Sequence, residues 1–285
     1  MDDLKQALSD VVPQERPDGQ DNRRLLFGLY LDPLRMDEVL ERCRQALTKR
    51  SPLLLGVLNA AKVVKLRKDP VLRASLLECD LLLADGQSVV WASTLLRRRL
   101  PERVTGIDLF EKLLGLAHRE GLSVYLLGAR ADVLELLEMR LQERFPGLKI
   151  VGRNDGYFPD SEAARVAADI RNSGADMLFI GMASPKKEIF LGSFKDALDV
   201  PILHGVGGSF DVLAGITRRA PVRWQRMGME WAFRLLQEPR RMWRRYLTTN
   251  AEFLLLTARE FFAPSPPFRS TKNTRLVEPA TGDKP

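Results

Sequence analysis

Short, almost unbroken apolar runs alternate along this chain with longer segments in which apolar positions recur every three or four residues. The runs are Leu25 to Leu31 (LLFGLYL), Leu53 to Asn59 (LLLGVLN), Leu81 to Ala84, Ser123 to Gly128 (SVYLLG), Lys149 to Val151, Asp176 to Gly181 (DMLFIG) and Ile202 to Val206 (ILHGV). Segments between them, such as Met36 to Lys49, Ala131 to Arg144 and Ser161 to Asn172, carry helical periodicity. Strands that are apolar on both faces and separated by amphipathic helices predict an α/β fold, with a Rossmann-like, mostly parallel sheet flanked by helices. Ligands of such sheets bind beyond the carboxyl ends of the strands. The polar and glycine residues gather there: Asn59, Asp85-Gly86, Gly128, Gly152 to Gly156, Gly181 to Glu188 and Gly205 to Asp211.

After Gly215 the alternation stops. Trp224, Met227, Trp231 and Leu235 recur at helical spacing, Trp243, Tyr246 and Leu247 continue it beyond Pro239, and a further apolar helix is expected from about Ala251 to Phe262. The expected organisation is a flexible arm over 1–22, the α/β core over 23–216, an Arg/Trp-rich helical appendage over 217–263 and a proline- and charge-rich disordered tail over 264–285. There is no internal repeat.

Composition adds one substantial core, since 45% of the 285 residues are hydrophobic. Charge changes the picture more. The net +7 is concentrated between Thr217 and Leu247, where nine arginines face two acids, Glu230 and Glu238, in a stretch that also holds Trp224, Trp231 and Trp243. Such a surface calls for an anionic partner: phospholipid headgroups, a diphosphate or nucleic acid. Cys43 and Cys79 have no metal-binding or redox spacing and read as ordinary buried thiols. The start lacks a basic region followed by an apolar run, and no segment is apolar for the roughly 18 residues that span a bilayer, so the expectation is a cytosolic protein that is not integral.

The most informative carboxylate is Asp85, placed by CDLLLADG just past a buried strand and followed by a glycine. A carboxylate there can take the proton of an attacking hydroxyl, or it can serve only as a turn or cap residue. Asp108 in TGIDLFEKLL reads as an N-cap, and Glu188 lies in a first helical turn facing the dipole. The loops GMASPKKE and GVGGSFD each run from strand to helix, so backbone amides with Lys186 or Lys187 can face a phosphate. Neither is a P-loop or a dinucleotide fingerprint. His118 and His204 read as structural, and neither a metal-ligand cluster nor a Ser-His-Asp arrangement can be assembled, so no metal and no cofactor are expected.

Taken in order, LNAAKVVKLRKDPVLRASL, LLLADG, PERVTGIDLF, VYLLGA, FPGLKIVG with DGYF, FIGMASPKKE, GVGGSFDVLAG, RRAP and GMEWAFRLLQEPRRMWRRY resemble the WecG/TagA/CpsF family of bacterial glycosyltransferases, glycosyltransferase family 26, from about Leu25 to Phe262. The resemblance implies a GT-E-type core with a C-terminal basic, membrane-binding helical appendage, on the inner face of the bacterial cytoplasmic membrane. The implied reaction is inverting and metal-independent, from a UDP-sugar donor to a polyprenyl-diphosphate-linked sugar acceptor, with homo-oligomers among family members. It assigns Asp85 as general base, Asn59, Arg103, Asp108, Lys187, Glu188, Gly207, Gly208 and Asp211 to the donor and substrate pocket, and Arg234, Arg241 and Arg244 to the diphosphate and membrane. Val57 stands where the family often has threonine, and Lys187 where it usually has glutamine. The donor sugar therefore stays open among N-acetylmannosamine, glucose and a uronic acid. The rival readings are a basic nucleic-acid-binding protein, a nucleotide- or sugar-phosphate-binding enzyme such as an epimerase, and a membrane-surface adaptor without catalysis.

Overall fold

The computed structural model describes residues 22–237 and 239–268, without the side chains of residues 226, 234, 240–242, 244 and 245. Six parallel strands form the central sheet: β3 (Leu53–Leu58), β4 (Leu81–Ala84), β5 (Ser123–Gly128), β6 (Lys149–Asn154), β7 (Met177–Gly181) and β8 (Ile202–Gly205), in the order β4-β3-β8-β7-β5-β6. All the ladders are parallel. The run LLFGLYL is not one strand of this sheet, as its uninterrupted apolar pattern implied. Phe27 (φ 55°) and Gly28 (φ 85°) both adopt positive φ, the geometry of a tight two-residue hairpin turn. They split the run into β1 (Arg24–Leu26) and β2 (Leu29–Leu31), an antiparallel pair of its own.

Helices cover both faces. On one side α1 (Met36–Lys49), α5 (Gly106–Glu120) and α6 (Ala131–Arg144) bury Cys43, Leu113, Phe110 and Leu137 against Leu55, Leu126 and Phe179 of the strands. On the other, α7 (Ala163–Asn172) and α8 (Lys186–Phe194) bring Ile170, Phe190 and Leu191 onto Leu127, Leu178 and Leu203. A third apolar cluster joins the hairpin to α2 (Ala60–Lys65), α3 (Pro70–Leu77) and α4 (Gln87–Leu95) at the β4 edge.

The chain then continues through α9 (Ser209–Leu213), α10 (Val222–Arg226), α11 (Glu230–Gln237) and α12 (Pro239–Phe262). The two helical stretches expected around Trp243 and beyond Ala251 are one 24-residue helix, about 36 Å long. Its carboxyl half is part of the core: Phe253 and Leu256 are buried, and the Phe253 ring lies 5.5 Å from that of Phe27. Glu260, 2% exposed, accepts from Arg98 Nη1 (3.1 Å), the Phe27 amide (3.4 Å) and the Ser265 amide (3.0 Å). The tail expected to be disordered from residue 264 is instead fixed over 264–268, because the Phe268 amide donates to the Gly28 carbonyl (2.8 Å) and its ring packs beside Arg73. Residues 1–21 of the arm and 269–285 of the tail lie outside the described residues. Among the described residues no helix is long and apolar enough to cross a membrane.

Candidate active site

The sheet register brings the first two candidate residues together. Leu58 at the end of β3 pairs with Ala84 at the end of β4, and the Asp85 amide continues the ladder by donating to the Leu58 carbonyl (2.9 Å). Asn59 and Asp85, the residues that follow, are therefore neighbours. Asn59 Nδ2 donates to Asp85 Oδ2 (3.1 Å), and the Gly106 amide at the start of α5 donates to Asp85 Oδ1 (3.1 Å). Each holding group is held in turn. Asn59 caps α2, its Oδ1 accepting from the Lys62 amide (3.1 Å). The ring of His204, buried in β8, donates through Nε2 to the Gly106 carbonyl (3.0 Å). Burial pushes His204 down to about 4, against the hydrogen bond to Gly106, so the ring is neutral near pH 7. Asp85 itself is half-buried, open enough to meet a substrate.

The second part of the site follows from strand order. The chain leaves β5 towards β6 on one side and leaves β7 towards β8 on the other, and a crevice opens where successive connections diverge. At this point Gly128 (φ 125°) passes so close to Gly181 that a Cβ on it would lie 2.5 Å from the Gly181 backbone. Only glycine permits that approach. The resulting cleft, of about 810 Å³, is lined among others by Arg130, Tyr157, Lys186, Gly207, Gly208 and Asp211. Small-molecule sites typically measure about 300–1,000 Å³. Arg130 is oriented by Asp132, and the Lys186 ammonium sits over the Phe158 ring, 4.1 Å from its centre, while bonding the Phe158 carbonyl.

Several assignments look different in three dimensions. Of the two adjacent lysines, Lys186 lines the cleft; Lys187 turns back under Gly205 and pairs with Glu188 (3.2 Å). Glu188 lies in the first turn of α8 but is only 3% exposed, and its Oε2 has no hydrogen-bond partner among the described residues. Val57 is buried in the core and its side chain packs beneath Gly106, so neither family departure lines the cleft. Asp108 is not the N-cap of α5. That role falls to Thr105, whose extended backbone lets its hydroxyl accept from the Asp108 amide (3.1 Å). Asp108, a turn further in, receives Thr105 Oγ1 (2.6 Å) and Arg219 Nη2 (2.6 Å).

Arg219 and Glu230, which the sequence pattern did not single out as site residues, join the appendage to the core. Arg103 Nη1 bonds Glu230 Oε2 (2.8 Å) and Arg103 Nη2 the Gln225 carbonyl (3.1 Å), while Arg219 Nε lies 3.5 Å from Glu230 Oε1. Gly228 (φ 69°), between α10 and α11, abuts Gln87 with no room for a Cβ. Gln87 follows the Asp85-Gly86 turn directly, so the turn between α10 and α11 packs next to that turn. Arg234, Arg241 and Arg244 fall on α11 and α12, but their side chains lie outside the described ones. Among the described residues no group of three or more His, Cys, Asp or Glu side chains gathers as a metal site.

The profile of the glycosyl transferase WecG/TagA/CpsF family matches residues 24–266, which take in the sheet, the cleft, Asp85 and the appendage together. The chain belongs to that family. A carboxylate oriented by two donors stands at the β4 edge of the row of strand ends, and a glycine-walled cleft with two cations lies farther along it, beyond the ends of β7 and β5.

Proposed function

We propose that this glycosyltransferase moves a sugar with inversion from a UDP-sugar to a polyprenyl-diphosphate-linked saccharide, in the assembly of a bacterial exopolysaccharide, surface antigen or teichoic acid. The observation that carries this reading is the Asp85 carboxylate, fixed by Asn59 Nδ2 and the Gly106 amide at the rim where the appendage meets the core. Asp85 takes the proton of the acceptor hydroxyl as that oxygen attacks the anomeric carbon from the face opposite UDP. The bond to UDP breaks as the new glycosidic bond forms, and the proton passes from Asp85 to solvent. The nucleotide occupies the cleft beside Gly207, Gly208 and Asp211, where Arg130, Lys186 and loop amides meet the charge that grows on the leaving diphosphate without requiring a metal.

The acceptor is supplied at the inner face of the cytoplasmic membrane, and the appendage is the lipid-facing part. In support, Trp231, Leu236, Trp243, Leu247, Leu254 and Phe261 are all exposed on α11 and α12, on a segment whose sequence carries the arginine excess. Arginine and tryptophan together suit an anionic interface. The test is a thermal-shift series with UDP, UDP-glucose, UDP-N-acetylmannosamine and a UDP-uronic acid. The stabilising donor is then incubated with a prenyl-diphosphate-linked sugar, and the anomeric configuration of the product is read by NMR. The reading expects stabilisation by UDP and at least one donor and an inverted product. Stabilisation by none, or a product of retained configuration, contradicts it.

A further inference from the structure

The core carries an apolar face of its own, outside the appendage. Helix α4 buries Val89, Ala92 and Ser93, yet Trp91 and Leu95, one turn apart on its other side, are each 58% exposed. A helix face that met only water would carry polar side chains at those positions. Scattered exposed apolar residues need no explanation, but these two are framed by charge. The helix ends at Leu96 and runs into Arg97, Arg98 and Arg99, and no Asp or Glu occurs from Gln87 to Leu100. Arg98 turns inward to the Leu25 carbonyl and Glu260. Arg97 and Arg99 are exposed, and neither forms an ion pair among the described residues.

The same face meets the appendage at both ends. Gln87, which leads Trp91 and Leu95 at four-residue spacing, packs against Gly228 between α10 and α11, and Met227 beside it is exposed. At the far end Arg98 reaches Glu260, and the next two residues of α12, Phe261 and Phe262, are exposed as well.

We propose that α4 is a second lipid contact: Trp91 and Leu95 enter the boundary between headgroups and acyl chains of an anionic membrane, while Arg97 and Arg99 bind its phosphates. The proposal rests on the lipid-facing reading of the appendage and extends that surface onto the catalytic core. Tryptophan and leucine suit that depth, and free arginines add attraction to anionic headgroups. A second copy of the chain suits the face less well. Two large side chains fall short of the roughly 800 Å² per partner that a stable interface buries, and symmetric pairing would gather the arginines of both copies with no acid on this helix to meet them. Asp85 and Gly86 directly precede α4. A bilayer lying along this helix therefore holds the strand end that bears the carboxylate near headgroup level, where a lipid-linked diphosphate lies.

The test sediments full-length protein with vesicles of phosphatidylglycerol and phosphatidylcholine in equal parts. Arg97→Gln combined with Arg99→Gln lowers the affinity about tenfold, with the melting temperature within a few degrees of wild type. In vesicles of bromine-labelled phospholipid, Trp91→Phe, which keeps an aromatic ring, removes part of the quenching of tryptophan fluorescence. Unchanged affinity in the arginine variant overturns the proposal, and so does unchanged quenching in Trp91→Phe. An arginine variant of unchanged affinity but altered sedimenting mass marks an interface between copies instead. If that variant melts well below wild type, the quenching result decides alone. The combined Leu236→Ser, Leu247→Ser and Leu254→Ser variant separates the two readings. If it loses vesicle binding while the α4 variants do not, the appendage alone meets lipid and the α4 contact falls. If wild type binds no vesicles, the lipid-facing reading itself falls.

Discussion

At the scale of single residues, Asp85 is placed by backbone register and then aimed by neighbours that are themselves anchored, Asn59 by the α2 amide it caps and Gly106 by His204. His204 leaves a signature in stability. Its folded value of about 4 lies below the ordinary 6.5, so between those two values the unfolded chain holds a proton that the folded chain lacks. Stability therefore falls as pH drops through that window, by up to about 3 kcal/mol from this group. His204→Gln, which keeps a donor for the Gly106 carbonyl but does not titrate, should flatten the urea-measured stability curve between pH 6.5 and 4. The aspartate and its strand-end setting were legible in the sequence, because an apolar run ending in Asp-Gly is a local signal. The orientation of Lys186 against Lys187 was not. Adjacent residues on a helix point about 100° apart, and which of the two lysines meets the cleft depends on how α8 sits against β8, a tertiary fact.

At the scale of elements, β4, β5 and the helices α1 and α6 begin and end where their apolar patterns do. Departures arise where a local conformation interrupts or joins a pattern without changing its hydrophobicity. Phe27 and Gly28 turn a continuous apolar run into a hairpin. Thr248, Thr249 and Asn250 break the apolar spacing of α12, yet the helix passes through them because its carboxyl half is anchored on the hairpin by Phe253, Leu256 and Glu260. Glu260 is the polar centre of that anchor, with its partner Arg98 27% exposed and its own side chain 1% exposed. Glu260→Ala leaves Arg98, which keeps only the Leu25 carbonyl, without its counter-charge and two amides without their acceptor, and breaking a buried pair costs about 3 kcal/mol or more. A drop of that size in urea-derived stability is expected, together with loosened hydrogen-exchange protection at β1 and β2.

For the molecule as a whole, the appendage is not a detachable extension. Its amino-terminal part clasps the core through Arg103, Glu230, Arg219 and Asp108, and its last turns close the third apolar cluster. Cutting the chain near residue 216 would expose Phe27 and unpair Arg98, so truncation would confound lipid binding with unfolding. Substitution of Leu236, Leu247 and Leu254, each about two-thirds exposed, by serine removes mainly exposed apolar surface. On our proposal it weakens binding to vesicles of anionic phospholipid at least tenfold in a sedimentation assay, with the melting temperature within a few degrees of wild type; unchanged binding counts against the lipid-facing assignment. The central claim is that family membership and the held carboxylate add up to sugar transfer with Asp85 as base. It is tested most directly by measuring transfer from the stabilising UDP-sugar to a prenyl-diphosphate-linked sugar with wild type and Asp85→Asn side by side, at matched UDP affinity. Loss of a positioned base costs roughly 10²- to 10⁴-fold. The account predicts a fall in kcat of that order with UDP binding retained, and an Asp85→Asn enzyme that turns over within a few-fold of wild type would contradict it.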